Sequence, residues 1–186
     1  VRPKEDFVSM VSLINENDPV LITTGLGKSF NLASLPHSYF LTKDRNITQD
    51  INKAMGGRYN VNTASSLALA AIEAAYNECG EWMDELNVYI EGNFKYISDY
   101  IDEHLADDLS FDIPKATYLG WISFEKSGLD ADLVHKALVE IGGIAVSPGK
   151  LYLDHENKHF RFNAASPRYR IEDGLERIRK TFEQIK

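Results

Sequence analysis

One apolar stripe in the middle of the chain constrains the fold more than any other feature. Its members lie three or four residues apart and are Leu86, Ile90, Phe94, Ile97, Ile101 and Leu105. This spacing brings all of them to one face of an α-helix, because a helix turns once in about 3.6 residues. A helix with such a face buries it against other elements. The sequence therefore predicts a long helix after Gly80 that forms one side of a hydrophobic core.

The residues after the stripe predict a small sheet covered by helices. Strands are expected in one sheet over 117–124, 144–147 and 160–164, with a helix over 130–141. A final amphipathic helix is indicated by Ile171, Leu175, Ile178, Phe182 and Ile185. This order predicts an α+β domain over residues 80–186.

The first part of the chain predicts shorter elements. They are a helix near residues 7–14, strands at 20–24 and 38–42, a helix from Ile47 to Met55 stopped by Gly56-Gly57, and a helix from an N-cap at Thr63 to Tyr76. We expect a domain boundary near Cys79-Gly80, and α/β as the class of the whole chain.

Composition excludes several classes of partner. The 186 residues carry 20 Lys and Arg against 28 Asp and Glu, a net charge of −8, which disfavours nucleic acid and anionic membranes. No apolar run reaches the roughly 20 residues that span a bilayer, and the charged opening residues are unlike a signal peptide. The single Cys79 favours a reducing cytoplasm. Because the first residue is Val1 rather than Met, we expect a piece of a longer protein.

Two motifs are literal matches in the wrong context. Gly27-Lys28-Ser29 after a strand is similar to the end of a phosphate-binding P-loop, but that motif requires a glycine where Ile22 stands. His155 to His159 satisfies the HExxH zinc pattern. Its residues are polar on every side and precede a strand, so we expect a hairpin loop without a metal.

Lys28 and Arg161 form a third candidate pair. On the predicted strand 160–164, Arg161 and Asn163 share the face opposite to the two phenylalanines. If the phenylalanines point into the core, Arg161 points to a cleft or to solvent, where its fork suits a carboxylate. Periodicity alone does not decide between a binding role and an ordinary surface arginine.

The segment from Gly27 to Leu35 resembles the cofactor-lysine motif of fold-type I pyridoxal-phosphate (PLP) enzymes, the class I/II aminotransferase superfamily. Ser29-Phe30-Asn31 after the lysine is most similar to the cystathionine β-lyase-like C–S lyases. Further landmarks follow in the family's order. They are the helix 62–76, the strand opening 117–122, the turn Val146-Ser147-Pro148-Gly149, the strand 160–163 and the sequel Ser166-Pro167-Arg168.

The resemblance implies the C-terminal portion of a fold-type I PLP-dependent transferase. Residues 1–79 would be the end of the large, PLP-binding domain, and residues 80–186 the small C-terminal α+β domain. Lys28 would be the catalytic residue and would bind PLP as a Schiff base. Arg161 and Asn163 would bind the amino-acid substrate. The resemblance leaves a C–S β-lyase and an aminotransferase equally open, in a parent expected to be a cytoplasmic homodimer.

Two positions depart from the family pattern. Gly25 stands where the family often has a phosphate-binding Ser or Thr, so Thr24 is the expected substitute, and Pro36 stands where many members have an arginine. The family's remaining cofactor-binding elements precede the lysine, yet only 27 residues precede Lys28 here. We therefore expect the chain alone to hold PLP weakly or not at all and to be inactive. The alternative is a non-catalytic α+β interaction domain in which Lys28 is a loop lysine.

Overall fold

The computed structural model describes residues 7–35, 37–61 and 65–186. The chain divides into two compact units between Asp84 and Glu85. This division falls inside a helix, a few residues beyond the boundary that the sequence predicts at Cys79-Gly80. The assignment of 1–79 and 80–186 to separate domains stays a prediction.

The described residues up to Asp84 form short helices and a two-stranded antiparallel sheet. The elements are α1 (Met10–Leu13), β1 (Ile22–Thr24), β2 (Tyr39–Leu41), α2 (Arg45–Lys53), a π-helical turn (Ala54–Tyr59) and α3 (Ser66–Glu78). β1 pairs with β2 through Thr23 and Phe40 at its centre. The order agrees with the prediction, although each strand is shorter than expected.

The predicted stop at Gly56-Gly57 is wrong. Helical backbone continues through both glycines as the π-helical turn and ends at Asn60, whose φ of 49° is left-handed. A glycine lowers helix stability by only about 1 kcal/mol, which does not force an end. Asparagine tolerates left-handed backbone better than most residues, so it terminates the helix instead. The predicted N-cap Thr63 lies outside the described residues.

The long helix predicted from the apolar stripe is confirmed. Helix α4 spans Gly80–His104, and its stripe is buried at every member except Leu86, which is partly buried. Helices α5 (Ala131–Glu140) and α6 (Arg168–Ile185) also match their predicted positions. The predicted packing of α6 is confirmed as well, since four of its five apolar residues are at most 1% exposed and Ile185 is partly buried in the same core.

The sheet of the second unit is antiparallel, in the order β3-β4-β6-β5. Its strands are β3 (Ser110–Phe111), β4 (Leu119–Ser123), β5 (Ser147–Pro148) and β6 (His159–Asn163). The expected strand 144–147 is reduced to β5, because Ile144 and Val146 pack against the core instead of joining the ladder. Pro148 lacks an N–H, which suits the edge position of β5. β3 was not predicted, since a two-residue strand carries no periodicity.

The inner face of this sheet closes the core. Phe160 and Ile122, which are register partners, are fully buried, and Phe162 is 9% exposed. Helices α4, α5 and α6 contribute most of the remaining apolar cluster. The outer face of β4 and β6 is therefore the face free for function. Among the described residues, no helix is both long and apolar enough to cross a membrane.

Candidate functional site

Lys28 lies on a turn that follows β1 directly. We call residues 25–35 the lysine loop. Leu26 is 4% exposed and anchors the loop, and its carbonyl accepts a hydrogen bond from the Phe30 N–H at 3.0 Å. Lys28 is exposed at the tip of this turn. Among the described residues up to Asp84, its amine makes no hydrogen bond or ion pair, so it is available to react.

His37 holds the two ends of the lysine loop together. The Leu26 N–H donates to His37 Nε2 at 2.9 Å, and His37 Nδ1 lies 2.7 Å from the Leu35 carbonyl. Because Nε2 accepts, Nδ1 is the ring nitrogen that donates. Sequence reasoning assigned no role to His37. A single histidine carries no periodicity that would reveal this contact.

The glycine at position 25, where the family often has Ser or Thr, has a physical reason. A Cβ at this position would lie 3.2 Å from the His37 carbonyl oxygen, which is tighter than an ordinary contact. The loop therefore closes on itself where the family pattern has a hydroxyl residue. Thr24 ends β1 opposite Tyr39 and is exposed, so its hydroxyl remains accessible beside the loop.

Arg161 lies on the outer face of the sheet, as predicted from strand alternation. Its neighbours Phe160 and Phe162 are on the buried face. Arg161 Nη2 donates to Ser147 Oγ at 3.2 Å, and the guanidinium carbon lies 5.0 Å from the centre of the Tyr152 ring. No carboxylate within the described residues 85–186 pairs with it. The fork of Arg161 can therefore donate hydrogen bonds to an external carboxylate.

Asn163 stands two residues beyond Arg161 on the same face. Its Oδ1 accepts the Ala165 N–H at 2.9 Å, which orients the side chain and leaves the amide NH₂ as a donor. Arg161 and Asn163 together line a cavity of about 360 Å³ with the polar residues Ser147, Ser166 and Arg170. We call this the polar cavity. Its donors suit an anionic group.

A buried asparagine fixes the connection after Asn163. Asn93 of α4 is fully buried, and its amide donates to the carbonyls of Ala164 at 2.8 Å and Ser166 at 3.0 Å. Its Oδ1 accepts from Arg168 Nε at 2.9 Å. A buried amide with all these bonds is satisfied and specifies one geometry. Sequence reasoning missed it, although a polar residue beside the stripe residue Phe94 is a signal.

The HExxH residues form a turn and a strand end. His155 lies in a turn, as predicted, and His159 opens β6. The Asp154 carboxylate accepts the His159 N–H at 3.0 Å and lies 3.1 Å from His159 Nδ1. Burial raises the pKa of Asp154, but these bonds and the histidine's charge together lower it below its ordinary value. The described residues contain no cluster of three His, Cys, Asp or Glu that could hold a metal.

Comparison with known proteins identifies the family. The model described as aminotransferase class I and II matches residues 1–178. The chain belongs to this family. The MalY protein of Escherichia coli K12 is 32% identical over 164 residues, which cover 88% of this chain and 42% of MalY. The cystathionine β-lyase PatB of Bacillus subtilis is 30% identical over 82% of this chain and 39% of PatB. This family member thus spans about two fifths of those relatives.

Solved structures extend the comparison to the fold. Cystalysin from Treponema denticola, which contains pyridoxal 5′-phosphate, superimposes with a TM-score of 0.80 at 25% identity, over 89% of this chain and 42% of cystalysin. A PLP-bound protein of Clostridium difficile 630 gives a TM-score of 0.82 at 28% identity, over 87% of this chain and 41% of that protein. These matches confirm the predicted class, an α/β fold-type I structure with α+β character in its second part.

Proposed function

We propose that this family member is the C-terminal part of a PLP-dependent enzyme that acts on amino acids. The reaction is either β-elimination at a C–S bond or transamination. PatB, named a cystathionine β-lyase, and PLP-containing cystalysin support the class of chemistry. The observation that carries the proposal is the exposed, unpaired amine of Lys28 on a loop whose ends His37 joins.

The residues around Lys28 fit the cofactor. A free amine is what a carbonyl-bearing cofactor needs for covalent attachment, and Thr24 offers a hydroxyl for its phosphate. PLP supplies an electron sink for the negative charge that develops on the substrate Cα. Lys28 Nζ is proposed to hold the cofactor and then to move the proton of that Cα. In the same proposal, residues 1–79 belong to the cofactor-binding domain.

Arg161 and Asn163 are proposed to bind the substrate α-carboxylate. The fork of Arg161, which has no carboxylate partner among the described residues 85–186, and the amide NH₂ of Asn163 line one polar cavity. A guanidinium that holds a carboxylate at two points also fixes its orientation. Arg161 is thus proposed to orient the Cα–H bond of the substrate.

We further infer a cytoplasmic homodimer for the full-length protein. Cys79 is a free thiol and the only cysteine of the chain, which suits a reducing compartment. Exposed apolar side chains on α3, with Leu67 at 73% and Tyr76 at 58%, are typical of a face that further protein covers. Sedimentation of the full-length protein tests the dimer.

Borohydride trapping tests the attachment of the cofactor. In the full-length protein incubated with PLP, reduction should leave a stable phosphopyridoxyl group on Lys28, which mass spectrometry of peptides locates. Lys53, an exposed lysine of α2, is the internal control and should stay unmodified. Equal labelling of both lysines would contradict the proposal and favour a non-catalytic interaction domain. A C–S β-lyase would release pyruvate and ammonia, whereas an aminotransferase would transfer the amino group to a 2-oxo acid. Product analysis therefore distinguishes the two reactions.

Replacing Arg161 by alanine should weaken amino-acid binding without preventing cofactor attachment. The variant loses charge-assisted hydrogen bonds of about 1.5–3 kcal/mol, which corresponds to roughly 10- to 150-fold in kcat/KM. Cofactor absorbance should remain at the wild-type level, because the attachment to Lys28 does not involve Arg161. Arg177→Ala, at an exposed arginine of α6, is the control. Loss of cofactor binding in the Arg161 variant would contradict the assigned role.

A further inference from the structure

Arg161 lines two cavities of the second unit. One is the polar cavity. The other has a volume of about 570 Å³, and its walls include Leu119, Trp121, Tyr152 and Leu153 as well as Arg161. We call it the aromatic cavity. A ligand that binds the Arg161 guanidinium can therefore also contact these apolar side chains.

The aromatic wall is built into the sheet. Trp121 is the direct cross-strand partner of Arg161, so the two side chains stand next to each other on the outer face. The Trp121 ring meets Tyr152 edge-on at 5.6 Å between centres and stacks on His159 at 5.5 Å with 15° between the planes. Trp121 is still 37% exposed and Tyr152 42%. Two large rings thus remain open to a ligand.

Asp154 holds the His159 ring of this aromatic wall in place and adds a negative charge to the cavity. Its hydrogen bonds to His159 fix the ring on which Trp121 stacks. A Cβ on Gly149 would overlap the Asp154 carboxylate, so a glycine is required where the chain turns towards Tyr152. The carboxylate also lines the aromatic cavity. It disfavours a second carboxylate there by like-charge repulsion.

We propose that the aromatic cavity binds the side chain of the amino-acid substrate and selects large apolar or aromatic side chains. This inference rests on the proposed function, in which Arg161 holds the α-carboxylate. The carboxylate occupies the polar cavity beside Asn163, and the side chain lies against the rings of Trp121 and Tyr152. For a lyase reaction, the selected substrates are cysteine S-conjugates with an apolar group on sulfur.

Binding of simple carboxylates to the full 186-residue chain tests this subsite without cofactor. The sequence contains two tryptophans, so the Trp82→Phe variant leaves Trp121 as the single fluorescent reporter. 3-Phenylpropionate should change the Trp121 emission and bind at least about tenfold more tightly than propionate, because its phenyl ring buries apolar surface that propionate lacks. Glutarate, with a second carboxylate, should bind no better than propionate.

Variants separate the two binding roles. In the Trp82→Phe background, Tyr152→Ala should remove the preference for 3-phenylpropionate, and Arg161→Gln should weaken both ligands. Tyr59→Ala, at an exposed tyrosine of the π-helical turn, is the matched control and should change neither. Circular dichroism verifies that each variant is folded. In full-length protein, the borohydride test of Lys28 judges the proposed function independently.

Three outcomes would overturn the inference. Equal binding of 3-phenylpropionate and propionate, lost together in Arg161→Gln, would leave the carboxylate role intact and remove the aromatic subsite. Absence of binding by both ligands would remove the subsite from this chain. In the third outcome, neither ligand binds and acrylamide quenches Trp121 less as the protein concentration rises. This result would show that a second copy covers this face.

Discussion

Replacing Lys28 by alanine in the full-length protein is expected to abolish covalent cofactor binding and to reduce turnover by at least about 10²–10⁴-fold, the usual contribution of a positioned acid–base group. The amine of Lys28 is proposed to serve twice, as the attachment point and as the group that moves the Cα proton. Alanine removes both functions. The absorbance of the bound cofactor and the rate with an amino-acid substrate are the two measurements.

A matched lysine makes this result specific. Lys53→Ala removes an exposed lysine from α2 in the same unit and should leave absorbance and turnover unchanged. His37 joins the loop ends through backbone groups, so the Lys28 variant should keep its fold. Full turnover in a folded Lys28→Ala variant would refute the assignment of this residue.

Replacing Phe160 by alanine is expected to cost about 3–5 kcal/mol of unfolding free energy, as for other fully buried phenylalanines. Phe160 is 0% exposed and stacks on Phe124 at 6.3 Å between ring centres. The next residue, Arg161, lies on the opposite face of the strand, so Arg161→Ala should cost less than about 1 kcal/mol. Urea unfolding, followed by Trp121 emission in the Trp82→Phe background, measures both values.

The two substitutions test the orientation of β6 as a pair. A shift of one residue in the register would exchange the buried and exposed faces of the whole strand. Similar losses of stability in Phe160→Ala and Arg161→Ala, or a larger loss for Arg161→Ala, would contradict the orientation seen here. The pair thus tests the structural basis of the proposed substrate site directly.

Long periodic segments were predictable because their signal is local. The stripe of α4 and the apolar face of α6 repeat over several turns, and the structure buries both. The same holds for the alternation of β6, which correctly predicts that Arg161 and the phenylalanines lie on opposite faces. The roles of Lys28 and Arg161 came from the family resemblance; the match to residues 1–178 shows the family, and these roles stay predictions.

Elements that depend on distant partners were not predictable in this way. β3 exists because Phe111 pairs with Ile122 of β4, and β5 keeps two residues because Ile144 and Val146 turn to the core. The π-helical turn passes through glycines that locally favour an end, and only Asn60 terminates it. Each case is a tertiary or backbone contact that outweighs a propensity of about 1 kcal/mol.

By itself, the sequence determined the order of the main elements, the faces that they bury and the residue types available for chemistry, because periodicity and motif spacing are properties of the chain. Only the tertiary structure decided which groups support those residues. His37 reaches the ends of the lysine loop, Asn93 reaches Ala164 across 71 positions, and the ring of Tyr152 covers Arg161. No periodicity of the sequence pairs these residues, because each contact forms only when the chain is folded and packed.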